Sequence, residues 1–135
     1  MNVRSALRLL ALASLLVSGC HRQTPAEIAV AQDAEGRALV LQGNYPQAIT
    51  IYTKAIGSDA TNASLYFHRG TARMLDASTG GASGLDDAIA DFTLAIGLDP
   101  KVAASAYHGR GDAKHLKGDE EGAQVDWARG SVIPK

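Results

Sequence analysis

Residues 84–111 read GLDDAIADFTLAIGLDPKVAASAYHGRG, the second half of one helical unit followed by the first half of the next. On either side of this stretch the same pattern returns. Ala48, Ala88 and Ala123 are each followed four residues later by an aromatic (Tyr52, Phe92, Trp127) and three residues after that by a small residue (Ala55, Ala95, Gly130). Glycine recurs upstream of each set, at Gly36, Gly70 and Gly111. Gly36 to Gly70 is 34 residues and Ala88 to Ala123 is 35, the period of a stacked two-helix unit. Ala48 to Ala88 is longer, at 40, which places an insertion between Leu75 and Ala88; these are 13 apart where Leu41 to Ala48 and Leu116 to Ala123 are each 7 apart.

These residues resemble the tetratricopeptide repeat. The second and third copies, YFHRGTA…DDAIADFTLAIGLDP and YHGRGDA…EEGAQVDWARG, carry the closer match; in the first, Gln32 stands where Tyr66 and Tyr107 stand later. The resemblance implies an all-α fold of three helix-turn-helix repeats, about 26–62, 63–102 and 103–133, forming a short right-handed α-solenoid within residues 25–135.

The chain begins MNVRSALRLLALASLLVSGC: Arg4 and Arg8, the apolar run Leu9 to Val17, then small residues ending at a cysteine. At about 1.5 Å per helical residue that run cannot cross a hydrocarbon core of roughly 30 Å, so residues 1–19 are expected to be an export signal. Val17-Ser18-Gly19-Cys20 resembles a bacterial lipobox, which implies acylation of the Cys20 thiol and cleavage before it, leaving 20–24 as a lipidated tether. Cys20 is the only cysteine, so an intramolecular disulfide is impossible. His21 rather than aspartate follows it, which in such lipoproteins implies the outer membrane.

Removing the signal leaves 11 basic against 14 acidic residues, a net charge of −3 without a lysine or arginine cluster, which argues against nucleic acid. The lipid is therefore expected to supply membrane attachment.

Thr24-Pro25-Ala26-Glu27 reads as a capping box that starts the first helix, whose expected inward positions are Ile28, Ala31, Ala34, Ala38 and Leu41. Gly43-Asn44 ends it. The second helix, about Pro46 to Gly57, turns Ala48, Ile49, Tyr52, Ala55 and Ile56 inward. Asn62 caps a third helix reaching about Leu75, and Asp76 to Gly84, with three glycines and two serines, reads as a flexible loop. The remaining helices are expected at about Leu85 to Gly97, Lys101 to Lys117 and Asp119 to Gly130. No polar capping helix follows the third repeat, whose outer surface must tolerate water, pair with itself or dock on a partner.

Arg69 and Asp91 of the second repeat recur as Arg110 and Asp126, whereas the first repeat has Glu35 and Ile51 there. Joint appearance predicts an arginine–aspartate pair across the two helices of one repeat, the rival being Asp91 with Arg110.

No hydrolase elbow, HExxH or phosphate loop is present, so neither enzymatic chemistry nor a cofactor is indicated. His108 and His115, about 10 Å apart along one helix, cannot share an ion, so no metal is expected. The resemblance implies a concave groove lined by first helices: Asp33, Arg37, Val40, Phe67, Thr71, Met74, His108, Asp112 and His115. Its mixed charge lacks the lysine and asparagine pattern that clamps a C-terminal carboxylate, and Phe67 and Met74 suggest an apolar anchor. The function implied is a lipid-anchored periplasmic adaptor that holds a protein or peptide partner at the envelope. The alternative is a structural subunit that self-associates through the uncapped third repeat.

Overall fold

Four of the six described helices start at a residue whose side chain caps them. In the computed structural model, which describes residues 22–81 and 83–133, six helices run in order: α1 Pro25–Leu41, α2 Tyr45–Ser58, α3 Ala63–Ser78, α4 Leu85–Leu98, α5 Pro100–Leu116 and α6 Glu120–Val132. Residues 1–21, with the expected signal and Cys20, lie outside the described ones. Thr24 and Glu27 close the capping box in both directions: Glu27 N donates to Thr24 Oγ1 at 3.2 Å and Thr24 N to Glu27 Oε2 at 2.7 Å. Asn62, Asp99 and Asp119 cap α3, α5 and α6, and Pro25 and Pro100 occupy first-turn positions.

The helices pair as α1 with α2, α3 with α4, and α5 with α6, while α2 packs on α3 and α4 on α5. First helices also meet each other, α1 with α3 and α3 with α5, and so line one face of an α-solenoid of three repeats. One core cluster joins Ala29, Ala48, Tyr52, Ala55, Leu65 and Ala72; another joins Ala88, Phe92, Ala95, Ala106 and Ala113.

Glycine is required where the aromatic of the second helix crosses the first. A Cβ on Gly36 would stand 2.6 Å from the Tyr52 ring, one on Gly70 3.2 Å from Phe92, and one on Gly111 2.6 Å from Trp127. The spacing of glycine and aromatic is therefore a packing constraint: a Cβ at Gly36 or Gly111 would force the ring to move, and one at Gly70 would be tight.

The expected intra-repeat pairs form. Arg69 grips Asp91 with two parallel bonds, Nε to Oδ2 at 3.0 Å and Nη2 to Oδ1 at 2.7 Å. Arg110 holds Asp126 in the same way at 2.8 and 2.7 Å. Each carboxylate has a second cation one turn along the same helix, Arg73 for Asp91 at 2.7 Å and Lys114 for Asp126 at 2.8 Å. Both aspartates are only 1% exposed. The arginines also reach backwards: Arg69 Nη1 donates to Thr53 Oγ1 and Arg110 Nη1 to Thr93 Oγ1, each in the preceding repeat.

Two expectations are corrected. On α1 the buried positions are Ala29 and Gly36, with Ile28, Leu39 and Val40 partly covered, whereas Ala31, Ala34, Ala38 and Leu41 are exposed. Ala31 and Ala38 stand where α3 and α5 bury Leu65 and Ala72, or Ala106 and Ala113, beside a preceding second helix. No described element precedes α1, so nothing among the described residues covers that face.

The segment Asp76 to Gly84 is not an unanchored loop. α3 continues to Ser78, and Asp76, 6% exposed, accepts Ser83 N at Oδ2 (2.9 Å) and Gly81 N at its carbonyl (2.8 Å). All three first helices end beside a glycine with positive φ, Gly43, Gly80 and Gly118. Leu75 to Gly80 is 5 residues where Leu41 to Gly43 and Leu116 to Gly118 are 2, so three inserted residues lengthen the helix and three lengthen the turn.

Three outcomes follow. Gly111→Ala should cost about 1–3 kcal/mol through overpacking against Trp127, while Gly57→Ala, with nothing within 4 Å, should stabilise by about 0.5–1 kcal/mol; thermal unfolding distinguishes the two. Asp76→Ala should cost about 1–2 kcal/mol, because Ser83 N loses its carboxylate acceptor while the bond from Gly81 N to the residue 76 carbonyl remains; an unchanged melting temperature would restore the loop to a passive linker.

The third outcome concerns acid. Burial pushes the Asp126 carboxyl upward, but hydrogen bonds from Arg110 and Lys114, with their charges, outweigh it and hold the group below its ordinary value. A depressed folded pKa means that the stabilisation is complete above the unfolded value of about 4 and is lost as pH falls through the folded value. The stability gap between wild type and Asp126→Asn should therefore be constant near neutrality and narrow below about pH 4. A gap independent of pH down to acid unfolding would show that the ionised carboxylate is not what stabilises.

Candidate functional site

The nine residues expected to line the groove divide into four environments. Arg37 and Val40 of α1 and Thr71 of α3 border one apolar cleft of about 240 Å³, together with Leu41, Tyr52 and His68. Asp33 stands beside it, bonded through Oδ1 to His68 Nδ1 at 2.6 Å. Phe67 and Met74 do not project as free anchors: both pack against the second core cluster, and the Phe67 ring centroid lies 5.9 Å from that of Phe92. Asp112 and His115 serve the third repeat itself. Trp127 Nε1 donates to Asp112 Oδ1 at 2.9 Å, and His115 pairs with Glu120 at 2.8 Å while its ring lies against Trp127. His108 lines a wider recess of about 1050 Å³ at the other end of the solenoid, with Lys101, Ala104, Ser105 and Ser131.

The cleft is built by the repeat geometry. Gly36 lets the Tyr52 ring, carried by α2, lie against α1, so that it floors the space between α1 and α3. Its centroid is 5.9 Å from that of His68, which in turn is 5.5 Å from that of Phe67. Burial raises the Tyr52 hydroxyl well above the ordinary phenol value and the nearby Asp33 charge adds to this, while Arg37 opposes both. The phenol therefore stays neutral at any physiological pH.

Leu41, Tyr52 and His68 are the cleft residues that sequence reasoning missed. Tyr52 had been assigned to the core, and it is both core and floor. His68 is one residue beyond Phe67, which with Asp33 and His108 stands three residues before a repeat glycine, so a fixed offset from the glycine excludes it. The cleft's chemistry is apolar contact with a guanidinium at the rim. Among the described residues no group of three His, Cys, Asp or Glu side chains is placed to hold a metal ion, and no helix is long and apolar enough to cross a membrane.

An all-helical stack with one concave face of first helices is the architecture of a repeat-built interaction domain. Comparisons with known proteins agree. Residues 36–75 match the family model described as TPR repeat. DnaJ homolog subfamily C member 7 of Homo sapiens is 40% identical over 73 residues, 51% of this chain and 14% of that protein, so the chain spans a small part of that relative. Among solved structures, the second TPR of Spaghetti (RPAP3) bound to HSP90 peptide SRMEEVD is 27% identical with a TM-score of 0.69, covering 81% of this chain and 94% of that one. The first TPR of the same protein, bound to the same peptide, is 27% identical with a TM-score of 0.71, covering 80% and 82%. The Arabidopsis OM64 TPR domain is 26% identical with a TM-score of 0.71, covering 81% and 84%. Residues 36–75 thus carry a TPR repeat, and the described chain has the fold of these TPR domains, a fold that implies protein–protein interaction.

Proposed function

We propose that the protein is a lipid-anchored adaptor on the periplasmic side of the bacterial envelope, at the outer membrane, whose concave face holds an extended segment of a partner protein. The observation that carries the binding half of this reading is the open apolar cleft between α1 and α3, on the face lined by first helices and with a guanidinium at its rim. The two Spaghetti domains hold a short peptide, which supports the same use here. The anchoring half rests on the lipobox at Cys20 and on His21 after it.

The alternative, self-association through the third repeat, is disfavoured by the outer face of α6. Where α2 and α4 carry Ile49 and Ile89, Ile56 and Ile96, and Thr53 and Thr93, α6 carries Gln124, Ser131 and Ala128. The isoleucines join the core clusters, whereas Gln124, Ala128 and Ser131 are exposed and suited to water, although Val125 and Val132 of the same helix are exposed as well.

A photo-crosslinking residue placed at Thr71 should trap an envelope protein in cells, whereas the same residue at Gln124 should not. Adducts confined to Gln124, with the mass of a second copy of this chain, would replace the adaptor by the self-associating subunit. Cys20→Ser should abolish labelling by a palmitate analogue and release the protein from membranes; continued labelling would remove the anchor.

A further inference from the structure

The cleft between α1 and α3 is apolar in its walls and cationic at its rim. Val40, Leu41, Tyr52 and Thr71 supply the walls, and its volume of about 240 Å³ exceeds the roughly 150 Å³ of an apolar cavity that admits a benzene ring. It is therefore large enough for one big aliphatic or aromatic side chain. Leu41, at its edge, leaves 89% of its surface in water, while Leu75 at the same repeat position is partly covered. A group seated in the cleft would cover Leu41.

The guanidinium at the rim has no ion-pair partner among the described residues. Arg69, Arg73, Arg110 and Lys114 all point to aspartates of the second helices. Asp33, one turn from Arg37 on the same helix, is engaged by His68. Arg37 has neither an ion pair nor a hydrogen bond among the described residues, and it is exposed. At the corresponding position of the third repeat stands an acidic residue instead, Asp112, which accepts from Trp127.

We propose that the cleft selects an internal segment of the partner in which a large apolar side chain stands next to an acidic one, the apolar group filling the cleft and the carboxylate pairing with Arg37. This rests on the concave face being the partner-binding face. Asp33 lies one turn away and disfavours a second negative charge, so the preferred segment carries a single carboxylate and needs no free chain terminus.

The test is fluorescence anisotropy with the full chain in detergent and fluorescein-labelled nonapeptides, amidated at the C-terminus, that differ only at two central positions: Leu-Glu, Leu-Lys and Ala-Glu. The Leu-Glu peptide should bind at least tenfold tighter than either of the others. Arg37→Glu should reverse the order of Leu-Glu and Leu-Lys, and Leu41→Ser should weaken the Leu-Glu peptide several-fold. Both positions are exposed, and circular dichroism verifies that the variants are folded. Equal binding of Leu-Glu and Leu-Lys, an order unchanged by Arg37→Glu, or binding of none of the three overturns the proposal. A dimer in sedimentation that Leu41→Ser dissociates also overturns it, by assigning the cleft to a second copy. Crosslinks from Thr71 to an envelope protein alongside any of these results would leave the adaptor standing and remove only this selectivity.

Discussion

Asp91 and Asp126 are carboxylates almost wholly removed from water, and the stacking of the repeats is organised by how each is satisfied. A buried carboxylate without a partner would cost several kcal/mol, so its arginine cannot wander. A guanidinium that has given Nε and Nη2 to the carboxylate has its remaining Nη1 aimed in a fixed direction. In both cases that direction is a threonine of the preceding repeat, Thr53 or Thr93. One planar group thus joins both helices of a repeat and the repeat before. Replacing a buried ion pair by apolar residues of the same volume is often neutral for stability. The geometry accordingly specifies register between repeats more than it adds energy. The first repeat, with no described repeat before it, has Glu35 and Ile51 at these places.

The period and the pairing were legible because each rests on residue types that recur with a mechanism. Glycine and aromatic must coincide at a helix crossing, and arginine and aspartate must appear together. The second cations were missed although Arg73 and Lys114 vary in the same way: both stand where the first repeat has Leu39. Alanine carries less information. α1 has alanines at 26, 29, 31, 34 and 38, so a three- and four-residue spacing can be drawn along more than one face. Which face is inward was decided by Gly36, whose contact with Tyr52 fixes the rotation of the helix. The glycines and serines after Asp76 read as slack chain because the signal that orders them is one carboxylate accepting a backbone N–H seven residues later.

The groove shows the same division. Phe67 and Met74 were expected to greet a ligand because first helices line the concave face, yet a large apolar side chain that can reach a core gains more by burial there. What remains for a ligand is the cleft whose floor comes from the other helix of the pair. A fixed offset from the repeat glycine identifies residues on one helix, but a cleft is a property of three helices together.

The cleft's location bears on how binding and stacking are linked. Each junction between repeats is a nearest-neighbour contact, and a solenoid's stability is approximately the sum of such terms. Around the first junction, Tyr52 of the first repeat meets His68 of the second, Asp33 reaches across to the same histidine, and Thr53 accepts from Arg69. The cleft draws its walls from both sides of this junction, Arg37, Val40, Leu41 and Tyr52 on one and His68 and Thr71 on the other. A ligand there requires the two repeats to be stacked, so it must stabilise the junction by mass action to the extent that it is bound. Conversely, any change that loosens the junction lowers the population of the binding-competent form and weakens apparent affinity without touching the ligand. The residues that set register between the first two repeats are in this way also residues that set affinity.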